Sequence, residues 1–208
     1  GYRRTARLVV WINKGGDLTL GFRQQGSNQI VDIDTCPVLA PELLAKLLAL
    51  KPVLASFEGK ASVTHVQVFY LEQQSHFIIR TLGHLPDDDK ARLRDFSQAQ
   101  ACHILLEHDK QVFEALNSDS NPVTLLEYHL DNLRFQFQPQ NFIQINEAVN
   151  KQMVNQALNW LDLQAEDRVL DLFAGVGNFT LPLATRVKQV MAVEGVNDMV
   201  KRIKHNAE

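Results

Sequence analysis

The sequence has little cysteine, no long apolar run and no strong excess of charge of one sign. Only Cys36 and Cys102 occur among 208 residues, which argues against a disulfide-stabilised scaffold and favours a reduced, cytoplasmic setting. No apolar run is long enough to cross a bilayer, and the opening segment, with Arg3, Arg4 and Arg7, does not match a signal peptide. The net charge of −3 provides no overall attraction to nucleic acid, so an RNA contact would depend on a local basic patch.

Internal repeats and low-complexity segments are also absent from the sequence. An apolar content of 45% and a charged content of 22% are ordinary for a globular protein. We predict an α/β fold class with two domains. Residues 1–138 form a central α+β domain with a mainly antiparallel sheet, and residues 139–208 form the first part of a Rossmann-like domain.

Residue spacing predicts the elements of both domains. In the first domain, strands are predicted at residues 3–12, 18–23, 29–33, 62–71, 76–82, 102–106, 112–116, 123–128 and 132–137. Helices are predicted at residues 41–54, where Pro52 would kink or end the helix, and at residues 86–98. In the second domain, a helix at residues 147–161 follows Asn146 as its N-cap.

The most informative stretch is residues 168–180, RVLDLFAGVGNFT. Its apolar run at 169–173 predicts a buried parallel strand, Gly175 and Gly177 predict a tight turn, and a helix opens at Asn178. A second apolar run, at 189–193, ends in Glu194. Strand, glycine turn, helix and a later acid form the start of a Rossmann-like nucleotide site, in which the acid holds the ribose hydroxyls. The alternative is a glycine turn that only joins a strand to a helix.

The residues of the turn favour one nucleotide over another. A dinucleotide site needs a third glycine, and Thr180 occupies that position. Asp171 would repel a pyrophosphate but suits a cation. S-adenosylmethionine fits better because its sulfonium and amino groups are positive, Glu194 could hold its ribose, and backbone N–H groups near Gly177 and Asn178 could bind its carboxylate.

Several stretches resemble the bacterial 23S ribosomal RNA uracil-5-methyltransferases, and the resemblance covers essentially the whole chain. It is carried by Phe142-Ile143-Gln144-Ile145-Asn146, residues 160–161, 169–184 and 193–195, and earlier by residues 1–4, 21–23, 30–32 and 36–37. A complete methyltransferase sheet has several strands beyond Glu194, so we expect this chain to be a piece of a longer protein.

The resemblance implies methylation of carbon 5 of a uridine in 23S ribosomal RNA, with S-adenosylmethionine as the donor. It also implies that Gln144, Phe173, Asn178 and Glu194 contact this cofactor, beside Asp171, Gly175 and Gly177 of the turn. Two alternatives stay open from the residues alone. Phe173 is equally typical of a core aromatic. Asn178 could instead be only a helix cap. Ala174 stands where the family usually has cysteine.

The catalytic groups implied by the resemblance are a cysteine nucleophile and a glutamate base. In the family both lie in the C-terminal part of the methyltransferase domain, beyond the residues present here. Cys36 and Cys102 belong to the wrong domain to replace them. We therefore name no catalytic residue and expect the 208-residue chain alone to be inactive.

Cys36 has a separate implied role. In the resembling proteins, four cysteines hold a [4Fe–4S] cluster, and one of them occupies the position of Cys36. The other three lie upstream and are absent here, and Cys102 matches no ligand position. We expect no intact cluster in this chain, and the plain alternative is that Cys36 is a small buried hydrophobe.

A possible RNA contact lies near the start of the chain. The predicted strands carry Arg3, Arg4, Arg7 and Arg23 together with the aromatic residues Tyr2, Trp11 and Phe22. Basic and aromatic side chains together can bind phosphates and stack on bases, and the resemblance implies that the RNA partner is 23S ribosomal RNA. The alternative is solvated charge on edge strands. Methylation of another substrate, such as transfer RNA, a small molecule or a protein, and a non-catalytic binding scaffold also stay open.

Overall fold

The computed structural model describes residues 1–108, 112–116 and 125–208. The chain divides into two compact units, Gly1–Thr124 and Leu125–Glu208, which we call the first and second units. Residues 123 and 124 of the predicted strand at 123–128 lie outside the described residues.

The first unit is built on one seven-stranded sheet. Its strands are β1 Thr5–Ile12, β2 Leu18–Arg23, β3 Ile30–Asp32, β4 Val63–Leu71, β5 Gln74–Thr81, β6 Cys102–His108 and β7 Val112–Ala115. They lie in the order β3-β2-β1-β4-β5-β6-β7. Every neighbouring pair is antiparallel except β5 and β6, which are parallel because a helix connects them. The prediction of a mainly antiparallel sheet is confirmed.

Helices α1, Pro41–Ala55, and α2, Asp87–Ala99, contribute to the core of this unit. Four leucines of α1 at helical spacing are fully buried, and they join the inward side chains of β1, β4, β5 and β6. The predicted helix at residues 41–54 is confirmed, and Pro52 does not end it. The helix continues to Ala55, since Pro52 lies in its last turn, where Leu54 is buried and the Pro52 carbonyl accepts a bond from the Ser56 N–H.

One buried carboxylate organises the start of α2. Asp89 is fully buried and accepts hydrogen bonds from the Glu58 N–H at 3.1 Å and the Gly59 N–H at 2.8 Å. It also forms an ion pair with Arg92 at 2.9 Å. These three donors compensate the loss of hydration around a buried charge. Asp89 therefore joins α2 to the loop that leads into β4.

The second unit begins with a hairpin and ends in a helix. Its elements are β8 Leu126–Leu130, β9 Leu133–Phe137, α3 Glu147–Trp160, β10 Arg168–Leu172, α4 Thr180–Ala184, β11 Gln189–Val193 and α5 Asn197–Asn206. Strands β10 and β11 are paired in parallel. Asn146 caps α3, as predicted, by accepting a bond from the Val149 N–H at 3.1 Å.

The β8–β9 hairpin belongs to the second unit, whereas the sequence placed it in a first domain ending at residue 138. Asn206 of α5 explains the difference. Its side chain accepts a bond from the Gln136 N–H and donates one to the Gln136 carbonyl, both at 3.0 Å. A pattern of alternating residues predicts a hairpin but does not show which neighbours its backbone will bond.

Strand β10 is parallel, as predicted, but it is not buried on both faces. Leu170 and Leu172 of β10 and Met191 and Val193 of β11 are all exposed. No element of the described residues covers this face.

Among the helices of the described residues, none has the length and apolar character needed to cross a bilayer.

The buried carboxylate leads to a stability prediction. Replacing Asp89 by Ala should lower the free energy of unfolding by about 3 kcal/mol, because Arg92 and two backbone N–H groups lose their acceptor. Urea denaturation measures this change. Asp88→Ala is the matched control: Asp88 is exposed in the same helical turn, so its loss should stay within about 0.5 kcal/mol. Equal losses for the two variants would contradict the assigned role of Asp89.

Candidate functional site

The glycine turn, residues 173–179, connects β10 to α4 at the carboxyl edge of the parallel pair. The strand register joins Leu172 to Val193, so β10 and β11 end side by side. The Ala174 N–H then donates to the Val193 carbonyl at 3.1 Å. In a parallel α/β arrangement this edge is where ligands bind.

Phe173 begins the turn in an unusual conformation. Its φ of 60° lies in the left-handed region, which a bulky residue rarely adopts. Its side chain is 91% exposed, so the alternative that Phe173 is a core aromatic is wrong. Such strain costs about 1–3 kcal/mol and is found most often at functional sites.

The two glycines of the turn serve different purposes. Gly177 has a φ of 98°, and a Cβ at this position would lie 2.5 Å from Leu181 Cδ1, so its role is close packing. Gly175 has a φ of 59° and faces open space. The Gly177 N–H already donates to the Ala174 carbonyl at 2.9 Å, which corrects the expectation that it is available to a carboxylate.

Glu194, which the sequence predicts to hold ribose hydroxyls, contacts the turn directly. One carboxylate oxygen accepts from the Val196 N–H and the other from the Gly175 N–H, both at 2.9 Å. These backbone bonds, that from Val196 first, lower the pKa of Glu194 below its ordinary value, so it is ionised at neutral pH. Each oxygen keeps a lone pair that can accept from a ligand hydroxyl.

Asp171 is partly committed to the protein. Its Oδ2 accepts a bond from the Thr180 hydroxyl at 2.5 Å. Thr180, which stands where a dinucleotide site has its third glycine, thus joins α4 to β10. The Asp171 carboxylate still places negative charge at the edge of the turn.

Asn178 is not the helix cap, because the N-cap position of α4 is Phe179. Its side chain instead forms a reciprocal amide pair with Asn150 of α3, with both bonds at 2.9 Å. The Tyr128 hydroxyl of β8 also donates to Asn178 Oδ1, at 3.2 Å. The turn is therefore held by two other elements of the second unit.

A cavity of about 210 Å³, which we call the turn cavity, brings most of the predicted residues together. Five predicted residues line it: Gln144, Asp171, Phe173, Gly175 and Asn178. Gly177 and Glu194 do not line it, although Glu194 accepts a hydrogen bond from the lining residue Gly175. Complete small-molecule sites measure roughly 300–1,000 Å³, so the described residues would surround only part of a cofactor.

Two residues of this site were missed by the sequence reasoning. Tyr128 lines the cavity, but its alternating segment indicated only a half-buried strand. Asn150 had a usable signal, because the buried stripe of α3 is Asn150, Val154 and Leu158 at four-residue spacing. A polar side chain in an apolar stripe needs a buried partner.

Cys36 is half-buried, follows β3 and packs against the edge of the core of the first unit. The described residues contain no group of three or more His, Cys, Asp or Glu side chains able to hold a metal ion. One thiolate does not fit a [4Fe–4S] cluster, which needs four ligands. The role of Cys36 as one such ligand stays a prediction about a longer protein.

The predicted basic cluster is smaller in the structure. Arg4 is only 4% exposed, so it is not available to RNA, and Arg3 is half-buried. Phe22 alternates with Arg23 and lies on the other face of the sheet. Strand register places Arg7, Trp11, Arg23 and His65 on one face, which we call the arginine face.

His65 contributes little positive charge to the arginine face. Burial first, and then Arg7, Arg80 and Arg23, lower its pKa below 6.5, so it is neutral at pH 7. Strand register also places Arg80 directly opposite His65. The charge of this face comes from the arginines.

Comparison with known proteins places the whole chain in one family. The family model described as tRNA (uracil-5-)-methyltransferase matches residues 1–208. The 23S rRNA (uracil(1939)-C(5))-methyltransferase RlmD of Salmonella choleraesuis is 43% identical over 207 residues, covering 100% of this chain and 47% of the relative. RlmD of Pectobacterium atrosepticum is 44% identical, covering 99% of this chain and 45% of the relative. The chain thus spans about half the length of these relatives.

A solved structure supports the fold. The tRNA (uracil-54, C5)-methyltransferase of Pyrococcus abyssi, crystallised with S-adenosyl-L-homocysteine, matches 99% of this chain and 51% of its own. The TM-score is 0.69 at 20% sequence identity. The predicted α/β fold class and the family resemblance are confirmed: the chain belongs to the tRNA (uracil-5-)-methyltransferase family.

Proposed function

We propose that this chain is part of an enzyme that methylates carbon 5 of a uridine in 23S ribosomal RNA, and that its glycine turn binds S-adenosylmethionine. Two observations on one turn carry the proposal. Phe173 is exposed and has a left-handed backbone conformation, and the Gly175 N–H donates to Glu194. RlmD relatives at 41–44% identity favour 23S ribosomal RNA over transfer RNA.

The residues of the turn cavity fit the chemistry of this cofactor. Phe173 presents an aromatic surface for the adenine, and Glu194 presents two acceptors for the ribose hydroxyls. Asp171 and Gln144 line the same cavity, where the Asp171 carboxylate would attract the positive methionine end. When bound, S-adenosylmethionine supplies an electrophilic methyl group. The carboxylates favour a cation here over a pyrophosphate.

The chemistry on the RNA requires groups beyond these. Carbon 5 of uracil becomes nucleophilic after a thiolate adds at carbon 6. Once carbon 5 carries the methyl group, a base removes its proton and the thiolate leaves carbon 6, which restores the double bond. Among the described residues, Cys102 is a poor nucleophile. Burial raises the pKa of its thiol to about 11, so little of it is the reactive thiolate at neutral pH. We assign no catalytic residue to this chain and place both steps in the whole protein.

The arginine face is the surface that we propose for RNA. Arg7, Arg23 and Trp11 are exposed together on it. Guanidinium groups pair with phosphates and Trp11 can stack on an unpaired base. An enzyme of ribosomal RNA works where ribosomes are made, so we also propose a cytoplasmic location.

Phe173 allows a test of cofactor binding that is separate from folding. Phe173→Ala should weaken binding of S-adenosylhomocysteine about tenfold, the typical worth of one base–aromatic stack. It should not destabilise the fold, since the side chain is exposed. Calorimetric titration and thermal unfolding of the 208-residue chain measure the two effects. Trp160→Ala, which removes an exposed aromatic outside the cavity, is the control. Unchanged affinity in Phe173→Ala would refute the assignment.

The proposed reaction can be measured directly in the whole protein that contains this chain. Incubation with radiolabelled S-adenosylmethionine should place one methyl group on carbon 5 of one uridine of 23S ribosomal RNA, which mass spectrometry of nuclease fragments locates. The 208-residue chain alone should show no transfer. Methylation of transfer RNA instead of 23S ribosomal RNA would overturn the proposed substrate and leave the reaction type intact.

The arginine face predicts salt-dependent RNA binding. The double variant Arg7→Ala and Arg23→Ala should reduce affinity for a 23S ribosomal RNA fragment and make the dependence on salt less steep, because two phosphate contacts are lost. Fluorescence anisotropy over a range of salt concentrations measures both. Arg94→Ala, an exposed arginine of α2, is the matched control. An equal loss in the control would show that only net charge matters.

A further inference from the structure

The Asn178 side chain is held by an unusually complete set of bonds. Its Oδ1 accepts from Asn150 Nδ2 at 2.9 Å and from the Tyr128 hydroxyl at 3.2 Å. Its Nδ2 donates to Asn150 Oδ1 at 2.9 Å. Three of the four hydrogen-bonding positions of the amide are therefore occupied by protein groups.

The two partners of Asn178 are themselves fixed. Asn150 and Tyr128 are each only 2% exposed. The Tyr128 ring stacks on Phe135, with centroids 5.0 Å apart, and meets Phe137 edge-on at 5.9 Å. Rotation of the Asn178 amide by itself would leave buried polar groups without partners, which is costly at low dielectric. In the structure the pair is arranged with Asn178 Oδ1 toward the Tyr128 hydroxyl.

This orientation decides what Asn178 can offer to a ligand. A carbonyl oxygen accepts two hydrogen bonds, and both are used, so the free position is one N–H. Asn178 lines the turn cavity. It can therefore bind a hydrogen-bond acceptor but not an ammonium group, which only donates. The carboxylate that lines this cavity and can accept from a cation is that of Asp171.

We propose that Asn150 and Tyr128 are positioning residues that hold Asn178 as a donor for the carboxylate of the methyl donor. This inference rests on the proposed binding of S-adenosylmethionine. Of the polar groups on that molecule, the carboxylate is the strongest acceptor, and its bond to an N–H is charge-assisted. Asn150 does not line the turn cavity, so it acts on the ligand only through Asn178.

The test compares two ligands that differ only in this carboxylate: S-adenosylmethionine and its decarboxylated form. The unmodified 208-residue chain should bind S-adenosylmethionine about tenfold more tightly, as expected for one charge-assisted bond. Asn150→Leu should remove most of this preference by weakening S-adenosylmethionine alone. A purely structural role would weaken both ligands equally, and this result would overturn the inference.

Tyr128→Phe provides a second variant that keeps the packed ring. It frees one lone pair of Asn178 Oδ1, so the preference should fall by a few-fold. Asn155→Ala removes an asparagine from the same helix without touching Asn178 and should leave the preference unchanged. An unmodified chain that binds both ligands equally would overturn this inference alone. A chain that binds neither would overturn the proposed function and this inference with it.

Discussion

The left-handed turn of the backbone at Phe173 is the constraint on which the second unit depends. A strand that continued past Leu172 would carry the next residues away from β11. The reversal at Phe173 lets the Ala174 N–H bond the end of β11 and brings Gly175 to Glu194. The strain of a bulky residue at positive φ is offset by these bonds, and the aromatic side chain is directed outward as a consequence.

Polar contacts from several elements then support a short helix. Glu194, directly after β11, accepts a hydrogen bond from the turn, and Asp171 of β10 accepts one from Thr180. Asn178 is held by Asn150 of α3 and by Tyr128 of β8. A helix of five residues is too short to be stable by itself, so its position comes from these contacts. Ligand-binding geometry that depends on such contacts is set before a ligand arrives, which reduces the entropy lost on binding.

The first unit has its core on one face of its sheet and the arginine face on the other. The side chains of β1 alternate between the core, with Leu8 and Val10, and the opposite face, with Arg7 and Trp11. The chain as a whole is slightly acidic, yet this face collects guanidinium groups from adjacent strands. Net charge therefore describes the average field of the protein, while strand register decides where positive charge is concentrated.

Local features of the sequence were enough to predict most elements, since alternation, helical spacing and glycine position are properties of neighbouring residues. The place of Glu194 near the turn was also predictable. It follows the second strand of a parallel pair, and a helix of limited length must join the two strands. Whether Pro52 would kink or end α1 was not, because this depends on how the last helical turn packs, where Leu54 is buried. Neither was the place of the hairpin, which is decided by the backbone bonds of Gln136 to α5.

The sequence by itself determined the strand, glycine turn and helix, the acid that follows them, and the family to which the chain belongs. Only the tertiary structure decided that Phe173 is exposed, that Arg4 is buried, and that the Asn178 amide bonds to Asn150 and Tyr128. The physical reason is that exposure and hydrogen-bond orientation depend on partners such as Tyr128 and Asn150, which are distant in the chain and meet only in the folded unit.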